Sequence, residues 1–156
     1  DCDIFCDAAS QVSDCKCHCV HNPSEALSIL GRTQALPECI FLDINMPAVD
    51  GFDVLKHIKA DPKLSKIPIV MYSTTPNPEE AERSISLGAD RFIRKTSDYK
   101  KLVHSLQKIK SELIDRPAGR TAGGWPGRGR SRCGGARRRR ACILWTCALC
   151  SGRTLR

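Results

Sequence analysis

The chain has 156 residues and a formal net charge of +8, and its length suits one domain with its own core. The charge is unevenly placed: residues 1–115 hold all 17 acids and 14 of the 25 basic residues, a formal −3, while residues 116–156 hold the other 11, all arginine. The longest apolar run of that second part, 141–150, is about half of the ~20 residues that a bilayer span needs, which argues against a membrane protein. Ten cysteines without a signal-peptide pattern read as thiols of a reducing cytoplasm rather than as a disulfide framework.

Apolar positions at helical spacing predict a helix over 4–12, and the alternation Lys16-Cys17-His18-Cys19-Val20-His21 predicts a short strand. Asn22-Pro23-Ser24-Glu25 opens a helix whose apolar face is Ala26, Leu27, Ile29 and Leu30, with Gly31 as its stop. Residues 39–42 form an apolar strand. A helix over 51–60 turns Phe52, Val54, Leu55 and Ile58 inward, and Asp61-Pro62 ends it. A second apolar strand covers 67–72. Glu79 and Glu80 open a helix over 78–87, where their charge suits the positive end of its dipole, and Gly88 caps it. A short strand over 91–94 precedes an amphipathic helix over 99–113, with Leu102, Val103, Leu106, Ile109 and Leu113 on one side. One helix followed by four strand–helix units implies a parallel sheet covered on both faces. Residues 116–156, rich in Arg, Gly and Cys and without hydrophobic periodicity, read as a disordered tail. Their abrupt onset and lack of acids resemble translation out of frame or across a cloning junction.

The most informative stretch is Ile40-Phe41-Leu42-Asp43-Ile44-Asn45-Met46-Pro47 with Asp50-Gly51 just beyond. An apolar strand delivers one carboxylate, Asp43, to a loop at the sheet's C-terminal edge, where ligands bind in open α/β folds. A lone acid there serves as metal ligand, nucleophile or phosphoryl acceptor; the plain alternative is a solvated carboxylate.

Four matches in order resemble the receiver domain of bacterial two-component response regulators, the single-domain chemotaxis type above all. They are Asp43 with Met46-Pro47 and Asp50-Gly51, Ser73 closing Pro68-Ile69-Val70-Met71-Tyr72, Gly88-Ala89-Asp90 before Phe92, and Lys95 after the last strand. The resemblance covers residues 1–115 and implies a flavodoxin-like (βα)5 fold with parallel sheet. It implies that Asp43 accepts a phosphoryl group from a histidine kinase or a histidine phosphotransfer protein. Mg²⁺ is the implied cofactor, held by Asp43 and the backbone carbonyl of Asn45. Lys95 would pair with Asp43 and then with the phosphoryl group, Ser73 would turn toward that group, with Thr74 as competitor for the role, and Phe92 would follow as the switch aromatic. Output would pass by contact to a downstream protein target. Such domains border on enzymes, since many catalyse their own phosphorylation and dephosphorylation.

Two departures stand out. The family's first strand and its closing pair of acids are missing from this chain, and Asp1 and Asp3 fall after their position. In the 2-1-3-4-5 order of such a sheet the missing strand is the central one. Thr96 stands where the family has Pro. A phosphorylation-independent pseudo-receiver is therefore one alternative. Another is a basic protein that binds nucleic acid through its arginine tail, although such a run binds non-specifically at low salt. Cys15, Cys17 and Cys19 share one strand face with His18 on the other, unlike the paired turns of zinc sites. Cys147 and Cys150 have pair spacing, with Cys133 and Cys142 as the only second pair.

Overall fold

Local signals in the sequence mark most elements. The computed structural model describes residues 2–12, 16–34, 36–46, 49–74, 77–115 and 142–146. In chain order the elements are α1 (Cys2–Val12), β1 (Lys16–Val20), α2 (Pro23–Arg32), β2 (Cys39–Asp43), β3 (Asn45–Met46), β4 (Val49–Asp50) and α3 (Gly51–Ala60). Then come β5 (Ile69–Ser73), α4 (Pro78–Ser86), β6 (Arg91–Arg94), α5 (Tyr99–Ile109) and β7 (Cys142–Thr146). A π-helical turn, Lys110–Ile114, extends α5.

Four helices begin on the same device. The side chains of Asn22, Asp50, Asn77 and Asp98 each accept a backbone N–H two residues on, which satisfies one of the orphan donors of a helix start. Pro follows directly in α2 and α4, where its missing N–H costs nothing. Gly88 ends the α4 turn at φ +97°, a conformation that a side chain would strain. Gly31, by contrast, does not stop α2, which runs on to Arg32 and is closed at Thr33.

Five strands form one parallel sheet in the order β1-β7-β2-β5-β6. Side chains alternate across it. Ile40, Leu42, Ile69 and Met71 enter one core with Ala26 and Leu30 of α2 and Val54, Leu55 and Ile58 of α3. Cys39, Phe41, Val70 and Tyr72 enter the other, with Phe5, Ala8 and Ala9 of α1 and Leu102, Leu106 and Ile109 of α5. Every residue of β2 and β5 is buried. That is why their sequences read as unbroken apolar runs rather than alternating ones.

Within the segment expected to be a tail, Cys142–Thr146 forms a strand of the sheet. The sequence leaves an open place between β1 and β2, and β7 fills it: Lys16 to Val20 pair in parallel with Cys142 to Thr146, and Cys39 to Leu42 with Ile143 to Thr146. By position the sheet is thus a complete flavodoxin-like 2-1-3-4-5, its central strand supplied from the C-terminal part of the chain. Two open ladders make this strand. An unpaired backbone in a sheet interior is costly, and hydrophobic periodicity within five residues cannot report partners more than a hundred positions away. Asp1, the run Arg137–Arg140, and the cysteines at 15, 133, 147 and 150 lie outside the described residues. Among the described residues no helix is long and apolar enough to cross a membrane.

Candidate functional site

The site is built at the C-terminal ends of β2, β5 and β6. Asp43 is the last residue of β2 and only 1% exposed. The run that precedes it, Cys39 to Leu42, is buried on both faces, so the carboxylate emerges from the sheet at a fixed point. The backbone then turns. The N–H of Asn45 donates to Asp43 Oδ1 at 3.1 Å, and the Ile44 carbonyl accepts from both Met46 and Gly51. The short antiparallel pair β3–β4 follows, with Asn45 opposite Asp50 and Met46 opposite Val49.

Gly51 is required where α3 starts. A Cβ there would stand 2.3 Å from the carbonyl oxygen of Asp43 and 2.8 Å from the Ile44 Cα. Both are backbone atoms and cannot swing aside. The Asp50-Gly51 pair thus has two separate jobs. Asp50 caps the helix through the Phe52 N–H, and Gly51 lets that helix close onto the strand that carries Asp43.

Lys95 follows β6, and its ammonium reaches Asp43 Oδ2 at 2.5 Å. Both partners are withdrawn from water, with side-chain exposures of 12% and 1%. In such surroundings an ion pair is much less screened than at a surface. Two further features hold the lysine in place. Its N–H donates to the Ser73 carbonyl at 2.7 Å, tying the ends of β5 and β6. Its Nζ also lies 5.4 Å from the centre of the Tyr72 ring, within range of a cation–π contact.

Ser73 ends β5 and is fully buried, with Oγ 3.4 Å from Glu80 Oε2 of α4. Thr74, one residue on, is exposed and lines a cleft of about 310 Å³ with Lys95, Thr96, Tyr72 and Phe5. Phe92 is half-buried in β6 and packs against the α2–α3 core. The structure therefore brings Asp43, Lys95 and Ser73 to one sheet edge, with Thr74 beside them and Phe92 one strand pair away. The Asn45 side chain is exposed; only its backbone N–H is seen to touch Asp43.

As a donor set for a hard cation, Asp43 and the Asn45 carbonyl are of the right chemistry. Mg²⁺ uses one or two carboxylates and completes its octahedron with water and phosphate oxygens. Among the described residues no group of three His, Cys, Asp or Glu ligands gathers at Asp43, so water and a phosphoryl group would have to supply most of the shell.

Sequence reasoning missed three contributors: the close approach at Gly51, the Tyr72 ring under Lys95, and Glu80 beside Ser73. Only the first left a trace, a glycine at a helix start. The other two depend on strand register and on the placement of α4.

Residues 6–107 match the family described as response regulator receiver domain. The chain is 35% identical over 85 residues to Response regulator Rcp1 of Synechocystis sp., a match covering 53% of this chain and 58% of that protein. Among solved structures, the Mn²⁺-bound form of response regulator Rcp1 superposes with a TM-score of 0.61 at 26% identity, over 72% of this chain and 89% of that one. The phosphorylated cyanobacterial phytochrome response regulator RcpA also gives 0.61 at 26% identity, over 69% and 84%. The chain spans little more than half the length of its curated relative.

Proposed function

Since the chain belongs to the response regulator receiver family, we propose that it is the phosphoacceptor of a two-component phosphorelay, with Asp43 as the nucleophile. The observation that carries this reading is the buried Asp43–Lys95 pair, set beside the buried hydroxyl of Ser73 at one sheet edge. The donor would be a histidine kinase or a histidine phosphotransfer protein, and the output a protein contact.

A carboxylate oxygen of Asp43 attacks the phosphorus of a phosphohistidine. The P–N bond breaks, the imidazole leaves and takes a proton, and an acyl phosphate forms on Asp43. Little covalent work falls to the protein, so positioning and charge stabilisation decide the rate. The Lys95 ammonium, already at the carboxylate, meets the phosphoryl oxygens as they arrive. The Asn45 N–H holds Oδ1 and so fixes the plane of the carboxylate. Mg²⁺, held by Asp43 and the carbonyl of Asn45, would neutralise the remaining phosphoryl charge. Ser73 Oγ exchanges its place near Glu80 for a phosphoryl oxygen; the exposed Thr74 is the less suited of the two. Phe92 then follows into the space vacated, altering the face made by α4, β6 and α5. This is a two-state element biased by a local charge.

Incubation with acetyl phosphate and Mg²⁺, followed by intact-mass analysis, tests the reading. One added phosphoryl group, absent in Asp43→Asn, is expected. A folded chain that takes up none would be a pseudo-receiver.

A further inference from the structure

Away from this edge, α1 and β1 bring three thiols together. Cys6 comes from α1, and Cys17 and Cys19 from β1. Their sulfurs all lie within 4.8 Å of one another, and Cys6 Sγ is 3.2 Å from Cys19 Sγ. Residues two apart on a strand share a face, so Cys17 and Cys19 both point to the side that α1 covers. Both pack against the core that Phe5, Ala8 and Ala9 of α1 help to build. Those three residues are almost fully buried and fix the helix on the sheet, which sets the position of Cys6 beside the strand. All three cysteines are half-buried, so an ion can reach them from solvent.

The donor set is sulfur alone. Among the described residues no histidine or carboxylate joins the group. His18 lies on the opposite strand face and His21 is exposed beyond the strand. Soft thiolates select monovalent copper, zinc or iron–sulfur centres, and a structural zinc site closes its tetrahedron with a fourth protein ligand. Three sulfurs suit a trigonal d¹⁰ ion. At a metal–sulfur distance of about 2.3 Å, three coplanar sulfurs stand about 4.0 Å apart. In the observed group Cys6 and Cys19 stand 3.2 Å apart and no separation exceeds 4.8 Å, close to that spacing, so coordination needs only small shifts of side chains.

We propose that Cys6, Cys17 and Cys19 form a three-sulfur site for a monovalent copper ion, separate from the Asp43 site. Each thiol that binds gives its proton to solvent, so uptake releases protons and weakens at low pH. The ion would cross-link α1 to β1, an edge strand of the sheet.

The test uses the full chain, reduced and anaerobic, with Cu(I) titrated against bicinchoninate. Three forms are compared: the parent, Cys6→Ser, and the triple variant Cys133→Ser, Cys147→Ser and Cys150→Ser. The expected result is one tight equivalent that survives in the triple variant and disappears in Cys6→Ser. A variant-free measurement guards against misfolding. Alkylation of the parent should show Cys6, Cys17 and Cys19 protected by Cu(I), and X-ray absorption should show sulfur neighbours only. The proposal fails if reduced parent chain binds no Cu(I), if Cys6→Ser binds as the parent does, or if protection falls on other cysteines instead.

Discussion

Asp43 and Lys95 form a largely buried ion pair, so each depends on the other's charge. Removing the lysine leaves a carboxylate without its counter-charge and a phosphoryl group without its clamp. Lys95→Ala should therefore slow phosphoryl uptake from acetyl phosphate by about 10²–10³-fold, the scale seen when one charge-stabilising donor is lost. Time courses by intact mass will show it. Gly51→Ala tests the packing beneath the site. Its Cβ would meet backbone rather than a yielding side chain, so a loss at the upper end of about 1–3 kcal/mol is expected in a urea titration. Tyr99 offers a pH-dependent contact that does not involve Asp43 or Lys95. Its hydroxyl donates to the Asp7 carboxylate, joining the start of α5 to α1, and that hydrogen bond raises the phenol above its ordinary value of 10.0. A group whose folded value is raised stabilises fully below its unfolded value and loses that contribution as pH climbs through the folded one. Stability should thus fall above about pH 10, and Tyr99→Phe should remove that part of the decline in urea midpoints.

At the scale of elements, β7 is the least local part of the fold. Its ladders run to β1 on one side and β2 on the other. Proline within a central strand removes a ladder donor and is confined in proteins to edges and bulges. Leu144→Pro should therefore unfold the chain or lower its denaturation midpoint sharply in a circular dichroism melt; a melt unchanged from the parent's would count against β7 in the sheet interior. This element also marks the limit of what the sequence discloses. Strands β2 and β5 are legible because both faces are buried and the run is apolar throughout. The helices are legible from caps such as Asn22-Pro23 and Asp50-Gly51. By contrast, Cys142 to Thr146 is a brief apolar run inside an arginine-rich segment, and only the open place between β1 and β2 makes it a strand. The hairpin β3–β4 was likewise invisible, being two residues on each side.

Across the whole molecule, the parallel order places the C-terminal ends of β2, β5 and β6 side by side, and this alone gathers Asp43, Ser73 and Lys95 from positions 30 and 22 residues apart. Their residue types and order were readable in the sequence. The pairing of Lys95 with Asp43 followed only from the family resemblance, because residue pattern alone does not give the register of three strands; the Tyr72 ring beneath the lysine, which needs the same register, was not foreseen. The thiol cluster repeats the lesson, since Cys17 and Cys19 share a face by spacing, but only the docking of α1 adds Cys6. Asp43 is the proposed carrier of the phosphoryl group. Borohydride reduces an acyl phosphate to an alcohol, so it turns a phosphorylated aspartate into homoserine at the modified position. After acetyl phosphate and Mg²⁺, peptide mass mapping should find homoserine at position 43 and at no other acid. Homoserine at a different aspartate, or none in a chain shown to be folded, would contradict the account.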